Sequence, residues 1–296
     1  MENSRLKSAN YAAGFIRRAF SLQDEAEPIG VILGTGWGDV LTLDKQQEIS
    51  LGRIPAFEKN LPDLQGHKRT IMFGNIGHKQ VIALNGRLHL NEVPFSEDWL
   101  KLVRLQTEML IAVGVKQLIV TNAAGALKCL PEKFSELAGK FLGTGSEEPF
   151  PDPELQVGEV AVIDGFVSIF APVMPLWGGE FCSADDALSE RLISIALKSQ
   201  GDLLIAKKTG LAMLRGPQFE GNKYDKDILS RTGAGVAGMS MLPEAYIASL
   251  HSIEMLGLSF VTNDYKEVHS HPENLRRAGE ASAHLEQYLK EIIAHM

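Results

Sequence analysis

Six short polar motifs, each at the end of an apolar stretch, carry the residues able to do chemistry. Gly34-Thr35-Gly36-Trp37-Gly38 follows the run Ile29–Leu33. Glycines in such a turn let backbone N–H groups approach an anion, and the Thr35 hydroxyl adds a donor. The GxGxG spacing lacks the third glycine of a dinucleotide fingerprint. No acidic residue ends a second strand about 20 residues later, so a dinucleotide oxidoreductase is disfavoured. Gly86-Arg87-Leu88-His89 places an Arg and a His two apart, on one side of an extended chain. The guanidinium is a planar fork for phosphate and the imidazole a further donor. Thr121-Asn122-Ala123-Ala124-Gly125, Gly216-Pro217-Gln218-Phe219-Glu220, Gly238-Met239-Ser240-Met241-Leu242-Pro243-Glu244 and Phe260-Val261-Thr262-Asn263 complete the set. Taken alone, the Gly34–Gly38 stretch reads as readily as a tight turn with no ligand, and the Arg87–His89 pair more often as a surface pair. Together they are small, polar and hydrogen-bonding residues at the carboxyl ends of strands, where ligands of α/β sheets bind.

The elements that must position them alternate along the chain. Leu6, Ala9, Ala12, Ala13, Ile16 and Phe20 recur at helical spacing and predict an N-terminal amphipathic helix. Ile29–Leu33 and Gln117–Thr121 read as buried strands. Thr70–Ile76 and Gln80–Leu84 flank Gly77-His78 as a hairpin. Trp99, Leu102, Val103, Met109, Leu110 and Val113 form a helix stripe closed by Gly114. Further on, strands are expected at Glu159–Ile163, Thr209–Leu214, Val236–Ser240 and Leu258–Thr262. Ser183 is expected to cap a helix ending at Gly201. Pro243 is expected to open a helix running to about Met255, and Pro272 to start the last one, with Leu285, Leu289, Ile292 and Ile293 on one side. The fold class is α/β: one domain over residues 1–296, a central mixed sheet flanked by helices on both faces in three layers. Lys128–Gln156, with four prolines, is too long for an ordinary connection and reads as an excursion, a lid or an oligomer contact.

Composition sets the class. The 296 residues carry a formal charge of −8 with 45% hydrophobic residues, which suits a globular protein and argues against a nucleic-acid or anionic-membrane partner. Two cysteines, Cys129 and Cys182, make no disulfide framework and suggest a reducing compartment. The polar N-terminus shows no signal sequence, and no apolar run of spanning length occurs. The expectation is a cytoplasmic protein. His269 and His271 form an HxH pair, but no third ligand at metal-binding spacing accompanies them, so no metal is expected.

In this order, GTGWG, the His67 of QGHKRTIMFG, NGRLHLNE, VTNAAGAL, GPQFE, VAGMSMLPE and FVTN closely resemble the trimeric-type purine nucleoside phosphorylases, including the related methylthioadenosine phosphorylases. The resemblance runs from about residue 29 to 290. It implies phosphorolysis of a purine ribonucleoside to free base and ribose 1-phosphate, with inorganic phosphate as co-substrate, no cofactor, and a homotrimer. By similarity, Thr35, His67, Arg87, His89, the backbone N–H of Ala123 and Ser240 hold phosphate. Phe219, Glu220 and Asn263 meet the base, Met239 packs under the ribose, His271 binds the 5′-hydroxyl, and Phe181 closes a neighbouring subunit's site. Asn263, with His89 and Glu220, is the catalytic expectation. Glu220, Asn263 and His271 favour a 6-oxopurine nucleoside such as inosine or guanosine.

Departures from the family pattern keep alternatives open. Asn91 stands where the family has a ribose-contacting tyrosine, and Gly125-Ala126-Leu127-Lys128 replaces Gly-Gly-Leu-Asn. The loop between Asn263 and His271 is shorter than usual. Asp264 follows Asn263, and a one-residue shift would put a carboxylate against an adenine amino group. An adenosine or methylthioadenosine phosphorylase is therefore the second reading. A binding protein that kept the fold and lost turnover is the third.

Overall fold

The computed structural model describes residues 2–296 apart from 39, 58–60, 62–67, 94, 129–154, 202–203, 217–222, 266 and 268–270. The expected excursion at 128–156 lies almost wholly outside the described residues. In chain order the elements are α1 (Glu2–Ala19), β1 (Ile29–Leu33), β2 (Asp44–Ser50), β3 (Thr70–Ile76), β4 (Lys79–Asn85), α2 (Glu97–Val113), β5 (Gln117–Ala126), β6 (Val160–Val167), α3 (Glu190–Lys198), β7 (Ala206–Met213), α4 (Lys223–Ser230), β8 (Ala234–Gly238), α5 (Leu242–Leu250), β9 (Glu254–Asn263), α6 (His271–Glu280) and α7 (Ser282–His295).

The strands form one mixed sheet in the order β2-β3-β4-β1-β5-β8-β7-β6-β9. A further pairing of β9 with β5 closes the last five strands into a ring. Sequence alternation predicts the sheet and its flanking helices; it carries no sign of the closure. On β1, Ile32 faces a cluster with α1, α2 and α5, built on Ala13, Ile16, Val103, Met109 and Ala245. Its neighbours Val31 and Leu33 face the opposite cluster, built on Leu192 of α3 and on Leu285, Leu289, Ile292 and Ile293 of α7. The period of two sorts successive side chains into the two outer layers.

Local chemistry explains where several elements stop. Ser96 accepts from the backbone N–H of Trp99 at the start of α2, and Gly114 ends that helix at φ 112°. The N–H groups of Gly114 and Val115 return to Ile111 and Leu110, while Arg17 of α1 donates to the Val113 carbonyl at 2.8 Å. These contacts satisfy carbonyls that a helix end leaves open.

Three expectations need correction. Ser183 does not cap a long helix. Its hydroxyl accepts from Asp185 and opens a single 3-10 turn, Asp185–Ala187; Leu188 then bridges Met255, and α3 begins after Ser189, which caps it through the N–H of Leu192. The helix after Pro243 ends at Leu250, because Ser252 turns the chain at φ 54°, and Met255 is already strand. The C-terminal helix is two helices, broken at Ala281. Strand β2 and helix α4 were not expected. Apart from the half-buried Ile49, the residues of β2 are exposed and mostly polar, so nothing alternates.

Gly114→Ala would put a Cβ 2.5 Å from the Ala26 carbonyl at a left-handed backbone position. A loss of about 1–3 kcal/mol or more is expected from the backbone alone, read as a lower urea midpoint.

Candidate active site

The polar motifs converge because β1 runs parallel to both β4 and β5, and β5 parallel to β9. Their carboxyl ends therefore share one end of the sheet. β8 enters from the other direction, and its last residue comes beside the end of β5: a Cβ on Gly238 would lie 3.0 Å from Asn122 Nδ2.

The turn after β1 is fastened on three sides. The Gly34 N–H donates to Thr121 Oγ1 at 3.2 Å. The buried Trp37 indole donates to the Asn122 carbonyl at 2.9 Å, and Asn85 Nδ2 donates to the Gly38 carbonyl at 2.7 Å. A Cβ on Gly34 would meet the Thr121 carbonyl at 2.4 Å and Arg87 at 2.7 Å, so only glycine allows this approach. Thr35 is half-buried at the tip of the turn.

Arg87 is completely buried. One Nη donates to Glu244 Oε1 at 3.2 Å and the other to the Thr121 carbonyl, while Nε has no hydrogen-bond partner among the described residues. Burial lowers the pKa of the guanidinium, opposed by the Glu244 charge and its hydrogen bond. The stretch around it is pinned from α2: Gln106 bonds both the N–H and the carbonyl of Leu88, and the Trp99 indole donates to the His89 carbonyl at 2.7 Å. His89 is mostly buried and turns to Glu92, whose Oε1 takes the His89 N–H at 2.7 Å and sits 3.3 Å from Nδ1. Arg87 and His89 thus have separate carboxylate partners. Burial alone would raise the Glu92 carboxyl, but the His89 hydrogen bonds and the Arg69 charge hold it below its ordinary value.

Along β5, Ala123 and Gly125 are partly open, between buried Asn122, Ala124 and Ala126. Asn122 accepts from Ser259 Oγ at 2.5 Å and reaches Ser240 Oγ at 3.5 Å. Ser240 is buried, and Met239 packs partly buried beside Leu127, Ala212 and Ala237. Asn263 closes β9 and is buried; its amide lies 2.8 Å from where a Cβ on Gly125 would sit. A small recess opens here, lined by Gly125, Ala126, Leu127, Lys226, Ala237, Asn263 and Tyr265.

Helix α6 is locked to this end. A Cβ on Gly36 would lie 2.5 Å from the Ala278 Cβ, and Arg277 donates to the Thr262 carbonyl at 2.6 Å. His271 is the first residue of that helix. His67, Phe219 and Glu220 lie outside the described residues. Phe181 is fully exposed and lines a groove with Ser189, Ser252 and Glu254, at the start of β9 and away from Asn263. The structure therefore brings together Thr35, Arg87, His89, Ala123, Ser240, Met239 and Asn263, and sets Phe181 apart from them in the same chain. Sequence reasoning assigned no role to Glu92, Glu244, Gln106, Lys226 or Tyr265. Glu92 and Glu244 end the motifs NGRLHLNE and VAGMSMLPE; a carboxylate three residues after His89 was the available signal.

A family model described as the phosphorylase superfamily matches residues 150–294. The purine nucleoside phosphorylase of Mycobacterium tuberculosis is 29% identical over 277 residues, covering 90% of this chain and 88% of the relative. That of Bos taurus is 26% identical over 292 residues, covering 92% and 90%. The structure of Schistosoma mansoni purine nucleoside phosphorylase in complex with inosine matches at a TM-score of 0.73 and 22% identity, covering 98% of this chain and 96% of that one. The mixed sheet with polar motifs gathered at one end is the fold of that solved phosphorylase. The chain is similar to these purine nucleoside phosphorylases along nearly its whole length.

Glu244→Ala would leave the Arg87 charge buried and uncompensated. A loss of about 3–5 kcal/mol is expected in urea unfolding, with Glu244→Gln milder because it keeps an acceptor.

Proposed function

We propose that the chain catalyses reversible phosphorolysis of purine ribonucleosides of the inosine and guanosine type, giving free base and ribose 1-phosphate. The observation that carries this reading is the convergence of Thr35, Arg87, His89, Ala123, Ser240 and Asn263 at one end of the sheet. Phosphate is held by the Thr35 and Ser240 hydroxyls, the Ala123 N–H, His89, His67 and Arg87. A phosphate oxygen attacks the anomeric carbon as the glycosidic bond breaks, and the bonding pair leaves on the purine. Asn263 hydrogen-bonds N7 and O6 of that anion and Glu220 takes the N–H edge. Phe219 flanks the base, Met239 the ribose, and His271 the 5′-hydroxyl. No protein nucleophile is required, because positioning and charge stabilisation lower the barrier.

Asn263, and not Asp264, lines the recess beside Gly125, which supports the 6-oxopurine preference. The second reading, an adenosine or methylthioadenosine phosphorylase, draws on Thr35, whose position is threonine in the methylthioadenosine enzymes, and on Asp264 one residue from the site. With the first reading go one domain over residues 1–296, a cytoplasmic compartment, no cofactor and a homotrimer. The exposed Val93, Phe95, Ile169, Val173 and Phe181 suit surfaces that a neighbouring subunit covers, with Phe181 reaching its site. Light scattering should then give three times the 32.4 kDa chain mass.

The test is a phosphate-dependent assay with inosine, guanosine, adenosine and methylthioadenosine side by side. Turnover of the first two is expected; turnover of only the last two moves the assignment to the second reading. Asn263→Ala should lower kcat roughly 100-fold or more with a modest change in phosphate affinity.

A further inference from the structure

Arg69 stands just before β3, outside every role assigned so far. Its backbone is left-handed at φ 52°, which non-glycine residues seldom adopt, and its carbonyl accepts from the Leu51 N–H at 2.8 Å. The residue is more than nine-tenths buried. One Nη makes an ion pair with Glu92 Oε2, while Nε and the other Nη are buried with no hydrogen-bond partner among the described residues. A buried guanidinium with two unsatisfied nitrogens is a poor source of stability. Its ion pair holds one oxygen of the carboxylate whose other oxygen accepts from the His89 N–H and lies against Nδ1.

We propose that Arg69 is a positioning residue for phosphate, acting through Glu92 on His89. This rests on the reading of His89 as a phosphate ligand. Arg69 fixes Glu92 from one side, so the other carboxylate oxygen stays aimed at the His89 N–H and Nδ1. With Nδ1 directed to Glu92, Nε2 is the ring nitrogen presented to the phosphate. Among the described residues, the charged groups facing Glu92 are Arg69, from the approach to β3, and His89, from its own turn. Loss of the Arg69 charge raises the Glu92 pKa. The carboxylate then protonates at higher pH, and the acid limb of phosphate use moves up.

The experiment is steady-state kinetics of Arg69→Met, Arg69→Lys, Glu92→Gln, His89→Ala and the double variant Arg69→Met/Glu92→Gln, across pH. Arg69→Met should raise the KM for phosphate about tenfold, leave the nucleoside KM unchanged, and shift the acid limb of kcat/KM for phosphate upward. Arg69→Lys should fall between it and the parent. Glu92→Gln should raise the phosphate KM as well, and the double variant should be no worse than Glu92→Gln. A merely structural arginine would reduce the folded fraction without moving either KM or the limb. If Arg69→Met does not fold, Arg69→Lys carries the test, and parental phosphate KM and pH profile in that variant overturn the proposal. His89→Ala separates the two readings. An unchanged phosphate KM there removes His89 from the phosphate site; a raised one, with parental kinetics in the Arg69 variants, removes Arg69 alone.

Discussion

The buried guanidinium of Arg87 is the constraint on which this end of the molecule depends. A charge wholly out of water must be paired, and its partners come from the carbonyl of β5 and the carboxylate of Glu244 on α5. The guanidinium also lies against Gly34, at the mouth of β1. One side chain therefore ties the end of β1, the middle of β5 and the first turn of α5 to the end of β4. The strand ends cannot separate without stranding that charge, and Gly34 cannot gain a side chain without displacing it.

Around this node, charge is spent locally. The chain carries a formal −8, yet the site proposed for an anion needs no basic surface. The proposed donors are a backbone amide, two hydroxyls, two histidines and the one guanidinium of Arg87, and each arginine nearby is matched to a carboxylate: Arg87 to Glu244, Arg69 to Glu92. A third buried arginine works elsewhere. Arg104 of α2 bonds Glu108 and Glu180 at 2.6 Å each and the Pro175 carbonyl at 3.2 Å, and lies 5.2 Å from the Trp177 ring centre. It pins the segment leading to the exposed Phe181, so that segment is displayed on a fixed base.

The parts of the fold that are local in origin could be read from the chain. β1, the β3–β4 hairpin and the Gly114 stop of α2 fall where periodicity and glycine chemistry place them, because a buried strand, a tight turn and a left-handed cap each need particular residues at particular positions. Ser183 and Ser189 show the limit of that reading. Both are serines ahead of apolar residues, and only the bridge from Leu188 to Met255 decides which one opens the helix. β2 escaped because a polar exposed edge strand has no alternation, and its pairing to β3 is a property of the sheet.

The site divides in the same way. By itself the sequence determined which residue types stand at the strand ends, their order along the chain, and hence the family resemblance. Those are matters of composition and spacing. Only the tertiary structure decided that β9 pairs with β5, closing the ring and setting Asn263 against Gly125. It also decided that Arg87 and His89, two residues apart, turn to different carboxylates, and that Arg69 pairs with Glu92 beside His89 while Phe181 stands apart in the same chain. Those outcomes depend on strand pairing and on burying charge in matched pairs. Both are interactions between residues far apart in the chain, which no local pattern encodes.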